Sequence, residues 1–126
     1  PALPALALTT DTSVLTACAN DFSYDGVFER QVQALGRPGD VLLGISTSGA
    51  SANVIRAVGA ARAAQMRTVA LTAARGRLKD LVDVPVAVPS DNVQHIQEAH
   101  LTIEHLLCHL VERDLFAARR MPVDDH

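Results

Sequence analysis

Gly39-Asp40-Val41-Leu42-Leu43-Gly44-Ile45-Ser46-Thr47-Ser48-Gly49-Ala50-Ser51 passes from an apolar run to a hydroxyl-rich turn without a break. From Asp40 to Ile45 the run shows no alternation, which predicts a strand buried on both faces, as in a parallel sheet. Ser46 to Ser51 reads as a polar turn. Val54, Ile55, Val58, Ala61 and Ala64 then recur at helical spacing and predict an Ala-rich helix ending near Met66. Strand, hydroxyl loop and helix in this order form one βα unit, and the rest of the chain repeats the pattern.

Upstream, Leu3 to Leu8 is strand-like, and Thr9-Thr10-Asp11-Thr12-Ser13 is a cluster that favours helix N-caps before a short helix at Val14 to Ala19. From Asp25, the residues Val27, Phe28, Val32 and Leu35 keep helical spacing until Gly36 and Pro38-Gly39 stop it. Downstream, Thr68 to Thr72 is the next strand, Leu78 to Val82 is at most a helical turn, and Val84 to Val88 is a short strand closed by Pro89. The longest element runs from about Val93 to Phe116, with Ile96, Ala99, Ile103, Leu106, Leu107, Leu110 and Val111 as its apolar stripe. Strands alternating with helices predict an α/β domain, a doubly wound three-layer sandwich with a mostly parallel sheet. The domain is expected to span residues 1–116, and residues 117–126 to form a flexible tail. Pro1 is not Met and the first strand-like run starts at once, so a segment upstream of Pro1 is expected to have been removed.

Composition narrows the function classes. The 126 residues suit one domain, and 48% hydrophobic against 20% charged residues allow a packed core. A net charge of −3 and 3% aromatic residues disfavour a nucleic-acid groove, which needs a positive surface and often stacking rings. No apolar run approaches the ~20 residues that span a bilayer and no signal peptide opens the chain, so a cytoplasmic protein without a membrane partner is expected. Cys18 and Cys108 sit in apolar periodic segments without CxxC spacing and are expected to be buried free thiols.

In open α/β sheets ligands bind beyond the carboxyl ends of the strands. Ser46 to Ser51 places four hydroxyls and a glycine there, at a helix N-terminus whose free N–H groups and dipole favour an anion such as a phosphate monoester. It has neither the lysine and spacing of a Walker A loop nor a dinucleotide fingerprint. Helix capping by the same serines and threonine is the competing explanation.

The second candidate lies on the last helix, where Gln97 and His105 are separated by two turns and about 80° with Leu101 between them. A histidine there suits metal ligation or proton transfer near neutral pH. The alternative reading leaves His100 and His109 solvated and makes His105 a hydrogen-bonded core residue. Asp21, Glu98 and Glu104 are further polar candidates that capping or solvation explains equally well.

Three stretches together resemble the sugar isomerase (SIS) domain family, most closely its bacterial phosphoheptose isomerases. They are Ala17-Cys18-Ala19-Asn20-Asp21-Phe22, Gly39 through Gly49, and Ile96-Gln97-Glu98-Ala99-His100. The resemblance extends from about Leu3 to Phe116.

It implies interconversion of sedoheptulose 7-phosphate and glycero-manno-heptose 7-phosphate on the route to lipopolysaccharide heptose. Ser46, Thr47, Ser48 and Ser51 would hold the phosphate, and Asp21 and Gln97 would contact the open-chain sugar. Gln97 and His105 would be zinc ligands in zinc-containing members, with His105 catalytic at the reacting end of the sugar, in a homotetramer. The family's GNGGS turn and the following helix, which carries a zinc-binding His and the catalytic Glu, have no counterpart in these residues. Gln94 stands where related isomerases can have Asp, and Ala73-Ala74-Arg75-Gly76 replaces a more glycine-rich turn. Two other classes share the fold: a protein that binds the replication initiator DnaA, and sugar-phosphate-sensing modules. Retention of His105 and the full Ser-Thr-Ser favours the isomerase.

Overall fold

The structure, a computed structural model, describes residues 2–116. Its helices are α1 (Thr12–Asp21), α2 (Val27–Leu35), α3 (Ala52–Ala63) and α4 (Val93–Phe116), and its strands are β1 (Val41–Ser46), β2 (Arg67–Ala73) and β3 (Val84–Val88). Two 3-10 turns, Tyr24–Gly26 and Leu78–Asp80, precede α2 and β3. The strands form a parallel sheet in the order β1-β2-β3, with Ser46 opposite Thr72 and Ala73 opposite Val88. The expected tail at residues 117–126 lies outside the described residues.

Local sequence explains the boundaries. Asp11 caps α1 by accepting a hydrogen bond from the Val14 N–H at 3.0 Å, as the Thr-Thr-Asp-Thr-Ser cluster predicts. Gly36 ends α2, its N–H donating to the Val32 carbonyl at 2.8 Å. Two apolar clusters hold α3 in place. Ala57 and Ala61 meet Val32 of α2, while Val58 packs with Ala70 of β2 and with Leu78. Alternate β2 residues point to opposite faces, and Thr68, Ala70, Leu71, Thr72 and Ala73 are all buried, so β2 is covered on both sides. α3 packs against β1 and β2 while α4 packs against β2 and β3, which gives the expected helix-sheet-helix layering.

Three expectations are corrected. β1 is not buried on both faces: Gly44 and Ser46 face α3, whereas Val41, Leu43 and Ile45 are exposed, because α4 packs mainly on β2 and β3. Leu3 to Leu8 forms no strand, because strand hydrogen bonds need a partner and β1 pairs only with β2. Leu8 is instead tied down by Gln31, whose Nε2 donates to its carbonyl at 3.0 Å. The apolar stripe of α4 is only partly used: Ile96 is buried, but Leu106, Leu110 and Val111 are exposed.

Candidate functional site

The loop after β1 is held by its own hydroxyls. Ser46, the last residue of β1, turns its buried side chain under the loop, where its Oγ lies 2.8 Å from Ser51 Oγ and 3.4 Å from Ser48 Oγ. The same oxygen accepts the Gly49 N–H at 3.2 Å, and Ser48 Oγ accepts the Ala50 N–H at 3.2 Å. Thr47 is half-buried and Ser48 exposed. Ser51 occupies the N-cap position of α3 but makes no side-chain capping bond. Capping therefore does not account for the hydroxyls. They form a cluster at the N-terminus of α3, where Asn53 Oδ1 accepts the Val54 N–H at 2.9 Å and the N–H groups before it have no acceptor within the helix, an arrangement that suits an anion.

A second loop supports the first from below. The Leu78 N–H donates to the Gly49 carbonyl at 2.9 Å, and Leu78 is fully buried against Val58 and Ala70. Gly49 and Gly76 both have left-handed φ, at 64° and 81°. Sequence reasoning registered Ala73 to Gly76 only as a departure from the family pattern and missed this contact. The signal was there: a glycine shortly after each of two adjacent parallel strands.

The other candidates lie apart from this cluster. Asp21 ends α1, is exposed, and accepts from Asn20 Nδ2 at 2.9 Å. It lines an open groove with Cys18, Phe22 and Arg30, to which residues 46–51 do not contribute. Gln97 and His105 are both exposed on α4. The alternative assignment is reversed for two of its three histidines: His100 is buried, at 3% exposure, and His105 faces out, while His109 is exposed as that reading has it. The reason is geometric, since Ile96 and His100 are one turn apart on the side of α4 that meets the sheet. Of the cysteines, Cys18 is buried as expected and Cys108 is exposed.

An amide oxygen from Gln97 and an imidazole from His105 suit zinc chemically, but they are only two donors where a tetrahedral site needs four. Among the described residues no group of three His, Cys, Asp or Glu side chains is arranged to hold a metal ion. Electrostatic perturbation is found elsewhere. The Asp83 carboxyl is held below the usual range, first by the Thr68 backbone N–H at 2.8 Å and then by the Thr68 hydroxyl at 2.9 Å, at the end of β2 remote from the serine loop. No helix among the described residues is long and apolar enough to cross a membrane.

Known proteins resemble both the sequence and the fold. Residues 1–73 match the SIS domain family model. The phosphoheptose isomerase of Roseiflexus sp. is 59% identical over 115 residues, covering 90% of this chain and 58% of that protein. That of Geotalea daltonii is 51% identical over 119 residues, covering 94% of this chain and 62% of that protein. The solved phosphoheptose isomerase of Francisella tularensis superposes with a TM-score of 0.87 at 42% identity, over 90% of this chain and 61% of that one. The Neisseria gonorrhoeae enzyme does so at 0.85 and 50% identity, over 87% and 62%. The chain thus spans about three-fifths of the length of these relatives.

Proposed function

The chain belongs to the SIS domain family, and from that premise we propose that it is the phosphate-binding part of a phosphoheptose isomerase. The reaction is the interconversion of sedoheptulose 7-phosphate and glycero-manno-heptose 7-phosphate, in the cytoplasm, on the route to lipopolysaccharide heptose. One observation carries the reading: Ser46, Ser48 and Ser51 join their hydroxyls at the N-terminus of α3 without capping it. A phosphate seated there exchanges those mutual bonds for charge-assisted ones, which are roughly twice as strong as neutral ones. Thr47 adds a fourth hydroxyl.

Moving a carbonyl between C2 and C1 requires removal of the proton beside it, return of a proton to the neighbouring carbon, and stabilisation of the enediolate oxygen between the two steps. His105, an imidazole exposed on α4, is the group assigned to proton transfer at the reacting end. Asp21 and Gln97 are assigned to the sugar hydroxyls. Gln97 and His105 would also supply two ligands to a zinc ion, whose contribution when bound is to polarise the carbonyl oxygen. The remaining ligands and the base that takes the carbon-bound proton would come from outside the described residues. Leu101, Leu106, Leu110, Val111 and Leu115 leave α4 with exposed apolar residues around its circumference, which supports a homo-oligomer, as a tetramer in this reading.

Calorimetric titration with sedoheptulose 7-phosphate, free sedoheptulose and inorganic phosphate tests the assignment. The sugar phosphate and phosphate are expected to bind competitively and the free sugar to bind far more weakly. Equal affinity for the sugar with and without its phosphate would overturn it.

A further inference from the structure

We propose that Thr72 is a positioning residue of the anion loop: its hydroxyl, buried beneath Ser46 and Gly49, supplies the donor that frees Ser46 to turn its own proton toward the bound phosphate. The inference rests on reading Ser46 to Ser51 as an anion site and adds a residue that the loop itself does not contain.

Two threonines share one face of β2, and they are treated differently. Thr68 is fully buried and satisfied, its hydroxyl donating to Asp83 Oδ2 at 2.9 Å and accepting from the Asp83 N–H at 3.0 Å. Thr72, at the other end, is equally buried at 0% exposure, yet its Oγ1 has no partner among the described residues. An unpaired buried hydroxyl is unfavourable, and valine would fill the same shape without that penalty.

The hydroxyl points to the loop. Thr72 stands opposite Ser46 in the β1-β2 register, with both side chains on the α3 side of the sheet. A Cβ placed on Gly49 would come within 2.8 Å of Thr72 Oγ1, so the hydroxyl lies directly against the underside of the turn. Ser46 Oγ is paired with Ser51 Oγ and accepts the Gly49 N–H. A bound phosphate draws the protons of both serines outward and breaks their mutual bond, which opens acceptor capacity on Ser46 Oγ. The Thr72 O–H, buried against the Gly49 turn, is the donor proposed to fill it as the loop adjusts around the anion. In this account the loop binds an anion and satisfies its buried neighbour in the same step.

The test compares Thr72→Val, which keeps the shape, and Thr72→Ser, which keeps the hydroxyl, by calorimetric titration with inorganic phosphate and by thermal unfolding. Thr72→Val is expected to bind phosphate about 5- to 10-fold more weakly, with a Tm equal to or above that of the wild type, and Thr72→Ser to bind within about twofold of it. Unchanged affinity in Thr72→Val, an equal loss in Thr72→Ser, or a Thr72→Val protein that unfolds well below the wild type would each overturn the positioning role. The underlying anion site is checked separately by Ser48→Ala: if that variant loses affinity while Thr72→Val does not, only the role of Thr72 fails. If the wild type binds no phosphate, the loop reading fails with it.

Discussion

Gly49 and Gly76 meet backbone to backbone, and neither tolerates a side chain. A Cβ on Gly49 would lie 2.6 Å from the Arg75 carbonyl oxygen, and one on Gly76 would lie 2.7 Å from Gly49 Cα. Both residues have left-handed φ, so a substitution adds conformational strain to the steric clash. The contact locks the turn after β1 to the turn after β2 and makes the serine loop a rigid platform.

Alanine at either glycine is therefore expected to destabilise the chain by about 2–4 kcal/mol, the sum of the left-handed penalty and overpacking. Gly39 provides the internal control, since it also has positive φ, at 92°, but a methyl group added there would meet nothing within 4 Å. Gly39→Ala should cost only about 1 kcal/mol. Urea unfolding of the three variants checks the order, and equal losses at Gly39 and Gly49 would remove the steric part of the argument.

Ser48 and Ser46 should separate binding from stability. Ser48 is exposed, so Ser48→Ala is expected to weaken phosphate binding by about 1–2 kcal/mol with little change in Tm. Ser46 is buried and accepts the Gly49 N–H, so Ser46→Ala should lower both affinity and Tm. Titration and melting of the same preparations decide the point.

His100 and His105, both on α4, should behave in opposite ways. His105 is exposed, and His105→Gln is expected to leave stability within about 0.5 kcal/mol of wild type. In an assembly competent for isomerisation, the same change should lower turnover by a factor on the order of 10²–10⁴. His100→Ala removes a buried ring and should destabilise by about 2–4 kcal/mol through the cavity it leaves. Normal turnover in His105→Gln would end its assignment to proton transfer.

Acid should reveal the Asp83–Thr68 bonds. Hydrogen bonds from Thr68 depress the Asp83 carboxyl in the folded state, so its stabilising contribution is fully present above the unfolded carboxylate range. It is lost as pH falls below about 4, through the lower folded value. Asp83→Asn lacks this pH-dependent part. Unfolding curves between pH 2 and 6 are expected to show the two proteins converging as the pH drops, and a constant gap would contradict the assignment.

Much of the architecture follows from sequence alone. Gly36, Asp11 and Pro89 act within a few residues of themselves, so helix ends, strand ends and the place of the hydroxyl loop were readable from local chemistry. The resemblance carried by Gly39 to Gly49 led to the family for the same reason, since a strand, an anion loop and a helix form one continuous stretch of chain. What the tertiary structure decided depends on contacts between distant residues. α4 carries apolar residues on nearly every side, from Val93 and Ile96 to Leu106 and Leu110, so periodicity could not tell which side meets the sheet. Only packing against β2 and β3 buried His100 and left His105 outside. Leu3 to Leu8 has the composition of a strand, but a strand exists only by pairing, and β1 pairs with β2 alone. Thr72 reads as an ordinary strand residue until the register sets it opposite Ser46 and beneath Gly49, and no local pattern encodes a hydroxyl left without a partner.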